Sequence, residues 1–160
     1  MKPKPTEQSA FDVIGIETRT NNAQEATGNG AIPRQWQRLS QENLLSRIPD
    51  RLDQSIIAVY TSYASDWNGD YTYILGAKVK PGTKAPEGMV SVNIPAGQYI
   101  RFASASGPPA QVVPDLWKEI WNYFHQPGNP LRAYRSDFER YDDMSDPNNV
   151  QVQIFIGVKP

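Results

Sequence analysis

The chain nearly repeats itself at a lag of 81 residues, so that residues 33–78 align with residues 114–159 without a gap. Nine of the 46 aligned positions are identical. The identical pairs are Pro33 and Pro114, Trp36 and Trp117, Pro49 and Pro130, Arg51 and Arg132, Ser55 and Ser136, Tyr60 and Tyr141, Asn68 and Asn149, Gly76 and Gly157, and Lys78 and Lys159. A fixed lag indicates duplicated structural units. Both halves are therefore predicted to share one fold.

Each half carries the same order of secondary-structure signals: a strand, a helix and a β-hairpin. The predicted segments are 11–18, 32–48, 55–63 and 71–79 in the first half, and 98–104, 113–124, 133–141 and 150–158 in the second. A short apolar run, 89–94, precedes the second set. We therefore expect an α+β fold of duplicated β-α-β-β units with pseudo-two-fold symmetry. One antiparallel sheet would carry two main helices, with a ligand cleft between the halves.

The length of 160 residues suits a single domain, which we expect over 10–160, with repeat halves of about 10–80 and 90–160. Residues 1–9 are polar and contain prolines, and we expect a flexible N-terminal arm or an edge segment there. No stretch resembles a signal peptide or a membrane span. The sequence thus predicts a soluble cytoplasmic protein that does not bind membranes.

Charge and composition exclude several function classes. The net charge is −1, and Lys and Arg are scattered, so direct nucleic-acid binding is disfavoured. The chain has no cysteine and one histidine, His125, which leaves no basis for a thiolate or His-rich metal site. Neither a Gly-rich phosphate loop nor a nucleophile-elbow motif is found. We expect no metal, no cofactor and no catalytic residue of a recognisable motif.

One position breaks the repeat, because Ala58 in the first half is replaced by Glu139 in the second. Strand alternation sends Asp137, Glu139 and Tyr141 to one face. If that face borders the cleft, Tyr60 approaches Glu139 from the other half, giving an aromatic pocket with one negative charge. An aromatic cation would be attracted there by the carboxylate and by cation–π contacts. Alternatively, Glu139 is a surface hairpin residue paired with Arg or Lys.

The aromatic residues leave two alternatives open. Trp36, Trp117 and Trp121 lie on the apolar stripes of the predicted helices, where they either pack in the core or line the pocket. Trp67 lies in a polar turn and could act as a lid. Tyr71, Tyr73 and Tyr99 alternate on strands, and at most half of them would face a cavity. The candidate ligand-binding residues are Glu139, Tyr141, Tyr60, Trp67, Trp36, Trp117 and Tyr73.

Two further features favour structural roles. The acidic residues around the last hairpin lack the spacing of a calcium loop and predict a solvated turn. They are Asp137, Glu139, Asp142, Asp143 and Asp146. His125 follows the second predicted helix, where a histidine stabilises the helix dipole.

Taken in order, several segments resemble the gyrase-inhibitor-like, AraC-type effector-binding domain family over residues 10–158. They are IPAGQY at 94–99, DYTYILGAKV at 70–79, the tryptophan on each helix and FERY at 138–141. The resemblance implies binding of small amphipathic or cationic, drug-like molecules, with Glu139 as the pocket glutamate. Some members are fused to DNA-binding domains, and others stand alone, including proteins of mobile integron cassettes.

The resemblance implies three hypotheses. The first is a standalone effector-binding domain that takes hydrophobic cations and regulates transcription through a separate partner carrying a DNA-binding domain, since the first nine residues cannot form one. The second is a hydrolase of strained cyclopropane-type toxins, with Glu139 as general base and Tyr141 beside it. The third is a gyrase- or protein-binding module in which the cleft is incidental.

Overall fold

In the computed structural model, which describes residues 3–160, eight strands form one antiparallel sheet. The strands are β1 (Pro5–Gln8), β2 (Phe11–Thr20), β3 (Ile56–Thr61), β4 (Tyr71–Val79), β5 (Val90–Ile94), β6 (Gly97–Ala103), β7 (Arg132–Tyr141) and β8 (Val152–Val158). Their order across the sheet is β1-β6-β8-β7-β3-β4-β2-β5. The predicted α+β fold with a duplicated plan is confirmed.

The two halves meet at the central pair of strands, β3 and β7, where Ala58 lies opposite Glu139. Each half also lends its first strand to the other half. Strand β5 pairs with β2, and β1 pairs with β6, so the outermost strands are exchanged. The segment 1–9, for which the sequence predicted a flexible arm or an edge segment, contains β1 at one sheet edge.

The helices are α1 (Asn22–Glu25), α2 (Ala31–Gln41) and α3 (Pro109–Phe124), and a 3-10 helix, Leu44–Arg47, follows α2. The prediction of one continuous helix over 32–48 is wrong. The α-helix ends at Gln41, because Asn43 takes a left-handed conformation with φ of 50° before the 3-10 turn begins. None of these helices within residues 3–160 has the length and apolar character needed to cross a membrane.

The sheet has a buried cluster of side chains on each face. The larger cluster joins the helices to the sheet and includes Leu39 of α2, Trp117 of α3 and Tyr60 of β3. The second cluster lies on the opposite face, where the ring of Phe11 on β2 meets Phe138 on β7 at 5.0 Å. Those strands are three positions apart, or about 14 Å in a flat sheet. The sheet therefore curves strongly around the second cluster.

Strand β7 carries an irregularity near its start. Arg132 pairs with Val158, and Asp137 pairs with Ile156, so the segment 133–136 bulges out of the ladder. Within the bulge, Tyr134 has a φ of 51°. Left-handed backbone is costly for a bulky residue and is kept only where its surroundings enforce it. The bulge begins directly after Arg132, which lines the cleft described next.

Candidate ligand-binding site

A cleft of about 240 Å³ opens between α2 and α3 on the helix face of the sheet. Its two sides are formed by repeat-related residues at the start of each helix, Ile32 with Pro33 and Val113 with Pro114. The aromatic lining consists of Tyr60, Tyr63, Trp67, Tyr71, Trp117 and Trp121. Asn22, Glu25 and Arg132 supply its polar groups. The cleft is therefore an aromatic slot with few polar groups, suited to a flat or bulky apolar ligand.

Glu139 lies directly behind this lining and is only 2% exposed. Its Oε2 accepts hydrogen bonds from the Tyr60 hydroxyl at 2.8 Å and from Trp117 Nε1 at 2.7 Å. Its Oε1 accepts one from the Tyr141 hydroxyl at 2.6 Å. Two of the three donors are thus wall residues of the cleft, and they connect its surface to the buried carboxylate.

The tryptophans and tyrosines of the two halves pack in a crossed arrangement. Trp117 of the second half packs edge-on against Tyr60 of the first at 5.1 Å, and Trp36 of the first packs against Tyr141 of the second at 4.9 Å. The symmetry ends at the indole nitrogens. Trp117 donates to Glu139, whereas Trp36 donates to the Tyr73 hydroxyl at 2.9 Å. The single carboxylate therefore gives chemically different surroundings to two equivalent indoles.

Burial raises the pKa of the Glu139 carboxyl above its ordinary value of 4.5, and the hydrogen bonds from Tyr141, Trp117 and Tyr60 oppose that rise. Burial also raises the pKa of the Tyr60 and Tyr141 hydroxyls, and the Glu139 charge raises it further. Both hydroxyls therefore stay protonated as donors. A carboxylate without a cationic partner in such surroundings favours the entry of a positive charge nearby.

Two charged residues at the cleft were not among the candidates. Glu25 follows Asn21, which caps α1, and its carboxylate accepts from the backbone N–H groups of Ala31 at 2.8 Å and Ile32 at 3.2 Å. Arg132 is 7% exposed and pairs with Asp137 at 2.7 Å. No helix-cap rule foretells a cap supplied from six residues upstream, whereas the repeat did single out Arg132 through its match to Arg51.

The structure divides the predicted ligand-binding residues into two layers. Tyr60, Trp67 and Trp117 line the cleft, together with Tyr71 and Trp121. The remaining candidates lie behind the lining, and they are Glu139, Tyr141, Tyr73 and Trp36. The Glu139 side chain has the buried position, in place of the alternative at a solvated surface.

Trp67 is 43% exposed and stands at the mouth of the cleft. Its ring meets His125 edge-on at 5.9 Å, and its backbone carbonyl accepts from Asn22 at 2.7 Å. The His125 ring is in turn fixed by a hydrogen bond between Nδ1 and the carbonyl of Trp121 at 2.5 Å. The indole is thus anchored at its backbone and exposed at its ring.

Residues 6–158 match the family of integron-associated effector binding proteins. The chain belongs to this family. The resemblance drawn from the sequence motifs is therefore confirmed, and the chain is an effector-binding protein of the integron-associated type.

Individual relatives are consistent with that membership. The Bacillus subtilis protein YobU, provisionally named a transcriptional regulator, is 33% identical over 147 residues, which is 91% of this chain and 90% of YobU. A Vibrio cholerae integron cassette protein is 31% identical with a TM-score of 0.75, over 98% of this chain and 95% of the other. The fold is also shared with SAV2435, solved with bound tetraphenylphosphonium. It has a TM-score of 0.78 at 19% identity, over 99% of this chain and 94% of that one.

Proposed function

We propose that the cleft binds hydrophobic aromatic cations and that Glu139 supplies the attraction for their charge. The observation that carries the proposal is the hydrogen bonding of one fully enclosed carboxylate to two wall residues, Tyr60 and Trp117. Donation to a carboxylate makes the phenol and indole rings more electron-rich, which strengthens their attraction for a cation. Membership in an effector-binding family and the tetraphenylphosphonium bound by SAV2435 support this ligand class.

The balance of charges around the cleft agrees with a cationic ligand. Glu25 and Arg132 are the charged residues in its lining. The Arg132 guanidinium is paired with Asp137, while the hydrogen bonds that Glu139 accepts within residues 3–160 come from neutral donors. In this part of the chain, Glu25 and Glu139 therefore stand without a basic partner, and the cleft as a whole favours positive charge.

Calorimetric titration with tetraphenylphosphonium and with the neutral triphenylphosphine oxide tests the proposal. We expect the wild-type protein to prefer the cation and Glu139→Gln to bind it about tenfold to a hundredfold less tightly, with little change for the neutral compound. The control is Glu119→Gln, which removes an exposed carboxylate on α3 and should leave both affinities unchanged. Equal loss of both compounds in Glu139→Gln would assign the residue a structural role only.

We further propose that ligand capture is linked to transcription through a separate protein partner that carries a DNA-binding domain. The relation to YobU supports the link. The net charge of −1 and the scattered Lys and Arg disfavour direct contact of this chain with DNA. The test is co-purification of a DNA-binding protein whose retention changes when tetraphenylphosphonium is added. Retarded migration of DNA by this chain alone would contradict the proposal.

A further inference from the structure

A second cavity of about 250 Å³ adjoins the cleft, and we call it the side compartment. The two spaces share Trp67, Trp121 and Arg132, so these side chains border both. The aromatic rings of Phe124 and Tyr134 complete the apolar lining of the side compartment. A second aromatic space therefore lies directly beside the cleft.

The polar group that borders both the cleft and the side compartment is the Arg132 guanidinium. Within residues 3–160, both hydrogen bonds of its guanidinium leave from Nη2, to Asp137 at 2.7 Å and to the Tyr63 hydroxyl at 3.4 Å. Its Nε is buried and has no hydrogen-bond acceptor among residues 3–160. A guanidinium offers five N–H donors. Arg132 is thus largely buried and ion-paired with Asp137, and its Nη1 donates to no acceptor within residues 3–160.

The Asp137 carboxylate, which pairs with Arg132, already accepts hydrogen bonds at both of its oxygens. Asp137 Oδ1 accepts from the backbone N–H of Gly157 at 2.8 Å, and its Oδ2 accepts from both Arg132 and the Tyr63 hydroxyl. The carboxylate already accepts three hydrogen bonds, so it has little need of a further donor from a ligand. The Arg132 guanidinium, in contrast, has N–H donors without an acceptor among residues 3–160.

The bulge in β7 holds the guanidinium in place. The Tyr134 ring lies 4.4 Å from the Arg132 guanidinium carbon, and its backbone has the left-handed φ of 51° noted above. Stacking of this kind fixes the plane of the guanidinium and thereby the directions of its donors. A strained residue that orients a buried charge beside a cavity is typical of a binding site.

Besides Arg132 and Tyr134, the titratable groups that line the side compartment are His125 and Asp66. The His125 ring uses Nδ1 on the Trp121 carbonyl, which leaves Nε2 for other partners. Asp66 is exposed, and its Oδ1 accepts from the backbone N–H of Asn68 at 2.9 Å. The Asp66 carboxylate is thus screened by solvent, whereas the Arg132 guanidinium is buried in its ion pair with Asp137.

We propose that the side compartment binds the carboxylate of an elongated ligand on Arg132, while the aromatic cation of the same ligand occupies the cleft. The preferred ligands are therefore aromatic zwitterions with a carboxylate at one end. The cationic half of this statement rests on the function proposed above, and the carboxylate half does not.

Rhodamine B and its ethyl ester provide matched probes, because the acid is a zwitterion and the ester carries only the cation. In calorimetric titrations at pH 7 we expect the wild-type protein to bind the acid about tenfold more tightly than the ester, since hydrogen bonds to charged groups are the strong ones. An ester that binds as tightly as the acid would overturn the proposal.

The double variant Arg132→Gln/Asp137→Asn tests the residue without leaving one buried charge unpaired. We expect its acid-to-ester affinity ratio to fall to about one. The control is Arg51→Gln, the repeat partner outside both cavities, which should keep the wild-type ratio. A ratio retained by the double variant would refute the assignment. If that variant fails to fold by circular dichroism, the wild-type ratio decides the proposal.

The same titrations distinguish a failure of the proposed cation binding from a failure of the proposed carboxylate site. Glu139→Gln should weaken the binding of acid and ester by the same factor and leave their ratio unchanged. If Glu139→Gln weakens neither probe, the cationic function fails, whereas the ratio still decides whether Arg132 binds the carboxylate.

Discussion

Ala58 and Glu139 are repeat partners and are also directly opposite each other on the two central strands. The pseudo-two-fold axis of the sheet therefore passes between them. Opposite residues in an antiparallel pair have Cβ atoms about 5 Å apart. Two glutamates in these positions would place two charges side by side in a buried space, so the duplication can keep only one of them.

Replacing Ala58 with glutamate should restore the symmetry of the repeat at a large cost in stability. We expect Ala58→Glu to lower the free energy of unfolding at pH 8 by about 3–5 kcal/mol, because the second carboxylate is fully buried and has no partner. The matched control, Ala58→Gln, adds the same volume without charge. Urea unfolding should show a gap between the two variants that narrows as the pH is lowered toward the ordinary glutamate pKa of 4.5, because protonation of one carboxyl removes the repulsion. A gap independent of pH would contradict the electrostatic explanation.

The raised pKa of Glu139 predicts how cation binding depends on pH. In the folded chain, Glu139 keeps its proton at pH values above the ordinary glutamate pKa of 4.5. Protonated Glu139 therefore contributes fully to the free energy of unfolding below pH 4.5, and this contribution is lost as the pH rises through the raised pKa. A cation binds the ionised form preferentially. Its affinity should therefore increase with pH across that window, with release of a proton.

Calorimetry of tetraphenylphosphonium binding in two buffers with different ionisation enthalpies measures this proton release. Glu139→Gln serves as the control and should show neither proton release nor a rise in affinity across the window. Wild-type affinity that stays constant from pH 4 to pH 8 would show that Glu139 does not change its charge on binding.

Much of this arrangement could be predicted from the sequence, because repeat and alternation act together. The lag of 81 residues relates Tyr60 to Tyr141, and strand alternation places Tyr141 on the same face as Glu139. In the structure both hydroxyls donate to that carboxylate. The repeat lag and the strand alternation are informative here because both depend only on regular strands and their pairing.

The rest depends on irregular backbone, which periodicity does not describe. The turn at Asn43 ends α2 early, and the bulge at 133–136 begins directly after Arg132, which lines the cleft. Glu25 reaches the site through the short helix α1, which contains only four residues. Such features are decided by tertiary contacts, since a helix of that length is unstable alone.

The two equivalent tryptophans allow a direct test of the carboxylate's effect on its donors. Trp117→Phe removes a hydrogen bond to a buried charge, and we expect a loss of about 1–3 kcal/mol in unfolding free energy. Trp36→Phe removes a bond to the neutral Tyr73 hydroxyl, and we expect about 0.5–1.5 kcal/mol. Urea unfolding measures both losses. Only the first variant should also raise the pKa of Glu139 and weaken cation binding at neutral pH. Similar losses with unchanged binding would argue against a role for the Trp117 donor.

Trp67 is expected to control how fast a ligand leaves the cleft. Because the residue is 43% exposed and thus more than half buried, Trp67→Ala should lower the free energy of unfolding by about 1–2 kcal/mol. Because the ring borders both the cleft and the side compartment, its loss opens the mouth, and the dissociation rate of a bound aromatic cation should rise about tenfold. Stopped-flow fluorescence with rhodamine B ethyl ester measures that rate.

Leu52→Ala, which removes a 47% exposed side chain outside both cavities, is the control and should leave the dissociation rate unchanged. A dissociation rate that is the same in Trp67→Ala and wild type would show that the indole does not retain the ligand.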